Sequence, residues 1–170
     1  MTEGRRNTTQ EKSNESDSID SFRLIHWRHD RQLGIAFLVA PFVWLSLYLI
    51  DRPALSFNWE ILISQQFLTL AVMMPILEEI VFRGLVQGWC MNQRWGGNKV
   101  FWITYANILT SIVFTAFHFI SHTPLMALLV LIPSIVFGYF RDRYHGWLIP
   151  SIMLHCFYNA GYFLLYNPSL

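Results

Sequence analysis

The chain has 170 residues, 54% of them apolar, only 14% charged, and a formal net charge of +1. Soluble domains carry about 25% charged residues, so this chain has too few to coat a water-facing surface. A charge balance near zero without a basic stripe also argues against nucleic acid as a partner. The composition is that of an integral membrane protein.

Six of the twelve Lys and Arg (Arg5, Arg6, Lys12, Arg23, Arg28, Arg31) fall within the first 32 residues. Residues 1–32 read as a polar N-terminal tail, partly disordered by composition, with 33–170 as the membrane-embedded domain. The tail has no apolar core after a short basic start, unlike a secretory signal. Residues 22–32 mix Phe22, Leu24, Ile25 and Trp27 with Arg and His, a composition suited to the membrane surface.

A span needs roughly 17–25 apolar residues. Residues 33–50 supply one and stop at Asp51-Arg52-Pro53. The stretch after it begins apolar at 61–77, then places Glu78, Glu79 and Arg83 inside what still reads as helix. Further spans follow at 100–120, at 125–140 (ending at Arg141-Asp142-Arg143) and at 147–165. Gly96-Gly97-Asn98 reads as a tight turn, since Gly and Asn supply the left-handed conformations of helix ends. Glu78 and His118 each lie 20 residues from Asn98, about 30 Å along their helices at 1.5 Å per residue, so they share a depth. That register favours a helix over 76–95 begun at Pro75, where proline is tolerated in a first turn, with 62–74 a separate tilted or re-entrant piece.

The fold expected is all-α: a polytopic transmembrane helical bundle of about five crossings plus one re-entrant or interfacial helix. Lys and Arg alternate between the loops so as to place the N-terminus inside, which puts Glu78 and His118 toward the outer face. The Trp and Tyr content suits interfacial belts. Cys90 and Cys156 both sit in apolar segments and form neither a disulfide nor a zinc-finger pattern.

Ionisable groups within a span are costly and mark functional sites. Three clusters qualify. Glu79 and Arg83 lie one turn apart and can pair, leaving Glu78 about 100° around the helix and free of that pair. The alternative for such a cluster is a solvated helix end. Phe114 and His118 share one face, although a lone His near a helix end is usually an interfacial residue, as His122 is expected to be. His155 and Asn159 stand four residues apart within an apolar span, suited either to function or to a helix–helix hydrogen-bond clamp.

Together, in this order, EExxxR, FxxxH and HxxxN over about residues 70–165 resemble the three motifs of the CPBP family of intramembrane proteases, the CAAX proteases and bacteriocin-processing (Abi) proteins. The context Pro75-Ile-Leu-Glu-Glu-Ile-Val-Phe-Arg-Gly84 looks like that family's as well. The resemblance implies a glutamate-dependent intramembrane endopeptidase. Glu78 and His118 would activate the attacking water, and His155 and Asn159 would stabilise the oxyanion. Glu79 and Arg83 would brace the first helix, with Phe114 in support. Independently, attack of water on a peptide carbonyl needs a base poised near neutrality and donors aimed at the developing O⁻, worth about 3–4 kcal/mol each.

Two His and one Glu could hold zinc with an open position, but there is no HExxH, and an Asn suits hydrogen bonding better than ligation. No cofactor is expected. Cys156 points about 100° away from His155 and reads as a small packing residue. The short chain leaves little room for a prenyl-binding vestibule, so the expected substrate is a membrane-anchored protein, such as the C-terminal sorting helix of an exported protein. The resemblance implies a multi-pass protein of a cell membrane, in keeping with a bacterial inner membrane and a cytoplasmic N-terminus. The competing readings are a CAAX-type prenyl-protein endopeptidase and a non-catalytic immunity or scaffold protein. A proton relay is disfavoured, since there is no inverted repeat.

Overall fold

Helices carry the architecture of the computed structural model, which describes residues 30–51 and 62–166. The polar tail, the segment after Asp51 and the last four residues lie outside the described residues. The chain divides into two units, Met1–Ile35 and Ala36–Leu170. The expected helical class is met. Two segments, Arg31–Leu49 and Pro124–Arg143, are long and apolar enough to cross a membrane.

Helix α1 (Arg31–Asp51) exposes Leu38 and Phe42 among many large apolar side chains, as a lipid-facing helix should. Helix α2 runs over 65–91 without interruption. Ser64 caps it by accepting from the Phe67 N–H at 3.0 Å. Its ladder then alternates between two repeats. Leu68–Met73 and Ile80–Val86 are π-helical, whereas Met74–Glu79 and Gln87–Met91 are α-helical. Every junction keeps right-handed helical dihedrals, so the expected break before Pro75 does not occur. The wide turn explains why. Met74 N–H reaches back five residues to Thr69 O, and this widening relieves the clash a proline ring makes with the preceding turn of a regular α-helix.

The connection after α2 differs from the expected tight turn. A two-stranded antiparallel hairpin, β1 (Lys99–Val100) and β2 (Ile103–Thr104), precedes the next helix. Helix α3 therefore covers only Tyr105–His118, not the whole of 100–120, starting where the Thr104 hydroxyl accepts the Asn107 N–H at 3.1 Å. The left-handed residue here is Phe101 (φ 54°), not Gly96, Gly97 or Asn98. Gly96 is required for another reason: a Cβ there would collide with the Cys90 carbonyl.

Helices α4 (Pro124–Leu129), α5 (Leu131–Arg143) and α6 (Ile149–Tyr166) complete the described chain. Arg83 bonds Ser134 and Gln87 bonds the Gly138 carbonyl. Four residues on one helix match four on the other in the same direction, so α2 and α5 lie side by side and parallel. α3 joins them through Asn107 Nδ2, which donates to Ile135 O at 2.9 Å. Gly138 permits this approach, since a Cβ there would strike the Asn107 side chain. From α1, Trp44 Nε1 donates to Tyr158 O at 3.0 Å, and the Tyr158 hydroxyl donates to Ala36 O at 2.9 Å.

The centre is unusually polar. Glu79, Arg83, Gln87, Asn107, Thr110, Ser111, Ser134 and Ser151 are all fully buried, while Leu, Ile and Phe are exposed outside. Lipid offers no hydrophobic drive between helices, so small residues and interhelical hydrogen bonds do the joining.

Candidate active site

The acidic pair stands on the short α-helical stretch Met74–Glu79 between the two wide turns of α2. From Glu79 onward, residues at intervals of four form one inward stripe: Glu79, Arg83 and Gln87, all fully buried. Arg83 Nε lies 3.4 Å from Glu79 Oε2. Its Nη2 donates to the Ser134 carbonyl at 2.8 Å and the Ser134 hydroxyl at 2.6 Å. The Glu79–Arg83 pair thus forms as expected, and α5 anchors it.

His155 of α6 occupies the space between the two carboxylates. Its Nδ1–H donates to Glu79 Oε1 at 3.0 Å, and its Nε2 lies 3.6 Å from Glu78 Oε2. Glu79 thereby orients the ring, presenting Nε2 toward Glu78. The Phe137 ring stacks on the imidazole at 4.8 Å and fixes its plane. Glu78 stands outside the Glu79–Arg83 pair, as expected, and its side chain is 25% exposed against 0% for Glu79. One carboxylate is a buried anchor, and the other is open to approach.

Phe114 of α3 is the hub. Its ring lies 4.9 Å from Phe82, 4.5 Å from His118 and 6.0 Å from His155, with the Arg83 guanidinium 5.5 Å above it. Phe82 follows Glu78 by four residues and Phe114 precedes His118 by four, so their contact is what the expected register of α2 on α3 requires. His118 itself donates Nδ1–H to the Phe114 carbonyl at 2.9 Å, which in the neutral ring leaves Nε2 as an acceptor. Its direct contacts are with Phe114 and with the ring of His122, not with Glu78. His122 is exposed and bonds Ser121.

Asn159 makes a helix–helix hydrogen bond of the kind the sequence offers as the alternative to function. Pro75 has no N–H, and Met74 N–H has shifted to Thr69 O, so the Leu70 carbonyl loses both donors it could have had within the helix. Asn159 Nδ2 donates to Leu70 O at 3.3 Å. Neighbouring side chains commonly satisfy carbonyls that proline frees in membrane helices. One amide N–H remains for other use. Cys156 Sγ lies 3.8 Å from Val72 O, turned to the same wide turn.

The structure therefore brings Glu78, Glu79, Arg83 and His155 into direct contact. Phe114 and His118 adjoin them through rings, and Asn159 sits one turn beyond His155 against α2. Ser134, Phe137 and Gln87 were missed by the sequence reading. Gln87 extends the stripe of Glu79 and Arg83 by another turn, and Ser134 and Gly138 repeat its four-residue spacing on an apolar helix. Among the described residues, no group of three or more His, Cys, Asp or Glu side chains is placed to hold a metal ion.

Carboxylates and imidazoles thus gather among apolar helices. A family model, type II CAAX prenyl endopeptidase Rce1-like, matches residues 58–161, and the chain belongs to that family of membrane proteases. The match spans Glu78, His118, His155 and Asn159, and the three motifs that carry the resemblance lie within it. No curated protein and no solved structure shows significant similarity to the chain.

Proposed function

We propose that this chain is a glutamate-dependent intramembrane endopeptidase that hydrolyses a peptide bond of a membrane-anchored protein. Glu78, the more open carboxylate of the pair, takes a proton from the attacking water with the acceptor nitrogen of His118 assisting, and passes it to the leaving amine nitrogen as the C–N bond breaks. His155 serves the oxyanion. Protonated, it donates through Nδ1 to Glu79 and through Nε2 to the developing O⁻, and the spare amide N–H of Asn159 adds a second donor. A donor of this kind contributes about 3–4 kcal/mol to the transition state. Glu79 and Arg83 position the ring and do not react.

The observation that carries this reading is the engagement of His155 by two carboxylates of unlike exposure, one anchored by Arg83 and one open. Five crossings formed by α1, α2, α3, α4 with α5, and α6 fit the helix order, with the N-terminus cytoplasmic. Two substrates are distinguished. One is the sorting helix of an exported protein, and the other is a prenylated CAAX tail, which the family's description names. The test is cleavage of both reporters by the purified chain in vesicles, with products read by mass spectrometry. Unimpaired cleavage by Glu78→Gln would refute the mechanism, and selective cleavage of either reporter assigns the substrate.

A further inference from the structure

The hairpin between α2 and α3 carries a contradiction of local rules. In a two-residue hairpin the first loop position often takes positive φ, and glycine is preferred there. Here that position is Phe101, with φ 54°, a conformation in which a bulky L-residue is an outlier. The strained residue is also 86% exposed, and Trp102 beside it is 79% exposed. Two aromatic side chains thus stand exposed at the tip of a hairpin, where Asn-Gly would serve the turn better.

The surroundings indicate what covers them. Arg94, Trp95 and Lys99 are exposed on the same connection. The Thr104 hydroxyl donates to Asp142 Oδ2 at 2.6 Å, which fastens the hairpin to the basic end of α5, where Arg143 is exposed. Between residues 88 and 104 there is no acidic residue. Asp142, the acid at this end of α5, is occupied by Thr104 and by Arg141 at 3.0 Å. Aromatic tips flanked by the exposed cations Arg94 and Lys99 match the boundary between acyl chains and anionic headgroups.

We propose that the Phe101–Trp102 tip is an interfacial anchor, inserted at the headgroup boundary of an anionic leaflet, with Arg94 and Lys99 on lipid phosphates. Burial of the two rings in lipid offsets the strain at Phe101. This end of the bundle is thereby pinned at a fixed depth, which goes beyond the proteolytic reading and does not depend on it.

The test uses the full chain in vesicles of phosphatidylcholine with phosphatidylglycerol, and compares it with Trp102→Phe, a substitution mild enough to preserve the fold. The difference in fluorescence reports Trp102 alone among the seven tryptophans. Expected are blue-shifted emission, stronger quenching by lipids brominated near the headgroup than by those brominated deep in the chain, and loss of quenching by aqueous iodide. Omitting phosphatidylglycerol should red-shift this emission, and R94Q/K99Q should remove that dependence. Emission at the position for water with full iodide quenching overturns the anchor. Emission indifferent to phosphatidylglycerol overturns the assignment to anionic headgroups.

Discussion

Glu79 and His155, 76 residues apart in sequence, meet through a 3.0 Å hydrogen bond between a fully buried carboxylate and an imidazole Nδ1. That bond makes the neighbouring glutamates unequal. Glu79 is held on two sides, by Arg83 and His155, while Glu78 meets, among the described residues, the far nitrogen of the same ring at 3.6 Å. Replacing Glu78 by Gln should therefore lower cleavage by about 10²–10⁴-fold, the usual worth of a general base. Membrane insertion and abundance should stay unchanged on quantitative blots. A loss of abundance matching the loss of cleavage would mark Glu78 as structural.

Glu79 should behave in the opposite way. Glu79→Ala leaves the Arg83 guanidinium buried without its counter-charge, a lesion costing about 3–5 kcal/mol. The expected outcome is a large fall in melting temperature in detergent, with activity lost alongside it. Ser134→Ala, which removes the 2.6 Å partner of Arg83, should cost about 1–3 kcal/mol by the same measurement.

Asn159 and Pro75 should be energetically coupled. Asn159→Ala leaves the Leu70 carbonyl without its 3.3 Å donor, a cost of about 1–3 kcal/mol. Pro75→Ala restores an N–H within the helix, so Asn159→Ala should cost less in that background. A double-mutant cycle on thermal unfolding reads this, and additive costs would show that the bond is incidental. If Asn159 also serves the oxyanion, its loss lowers kcat even where stability has been restored.

Cys156→Ser should leave cleavage and melting temperature unchanged, because the thiol makes only a 3.8 Å contact with Val72 O and the proposed chemistry does not use it. Activity should likewise survive dialysis against a strong chelator, as a water activated by Glu78 and His118 requires no metal. Abolition by chelator with restoration by zinc would overturn this.

Much of the site was legible because membrane placement makes polar residues conspicuous. The EExxxR, FxxxH and HxxxN groups stand out against apolar helices, but Glu78 and His118, which the count from Asn98 sets at one depth, are not in direct contact, and the rings of Phe82 and Phe114 meet one turn away. Other features were not local properties. The π-helical turns depend on ladder geometry that side-chain type does not encode, so Pro75 read as a helix start. The hairpin at 99–104 looked like the beginning of a span because Val100, Phe101 and Trp102 are apolar. Ser134 gave no signal by itself, since its value lies entirely in facing Arg83 from another helix.

The paired wide turns of α2 have a consequence for how this chain tolerates change in length. Each holds surplus backbone relative to a 3.6-residue repeat, one ending at Met73, about a turn before Glu78, and one starting at Ile80, directly after Glu79. Removing a residue from 68–73 would restore the regular ladder with little net turn of the flanking segments and leave the acidic pair's alignment with Ser134 and His155 intact, at the cost of setting the Pro75 ring against the preceding turn. The same loss between Glu79 and Arg83 would swing the guanidinium away from its carboxylate. Single-residue deletions scanned along α2 should thus give an asymmetric pattern, milder ahead of the acids, where the cost is the Pro75 clash, than behind them, where the Glu79–Arg83 pair is broken.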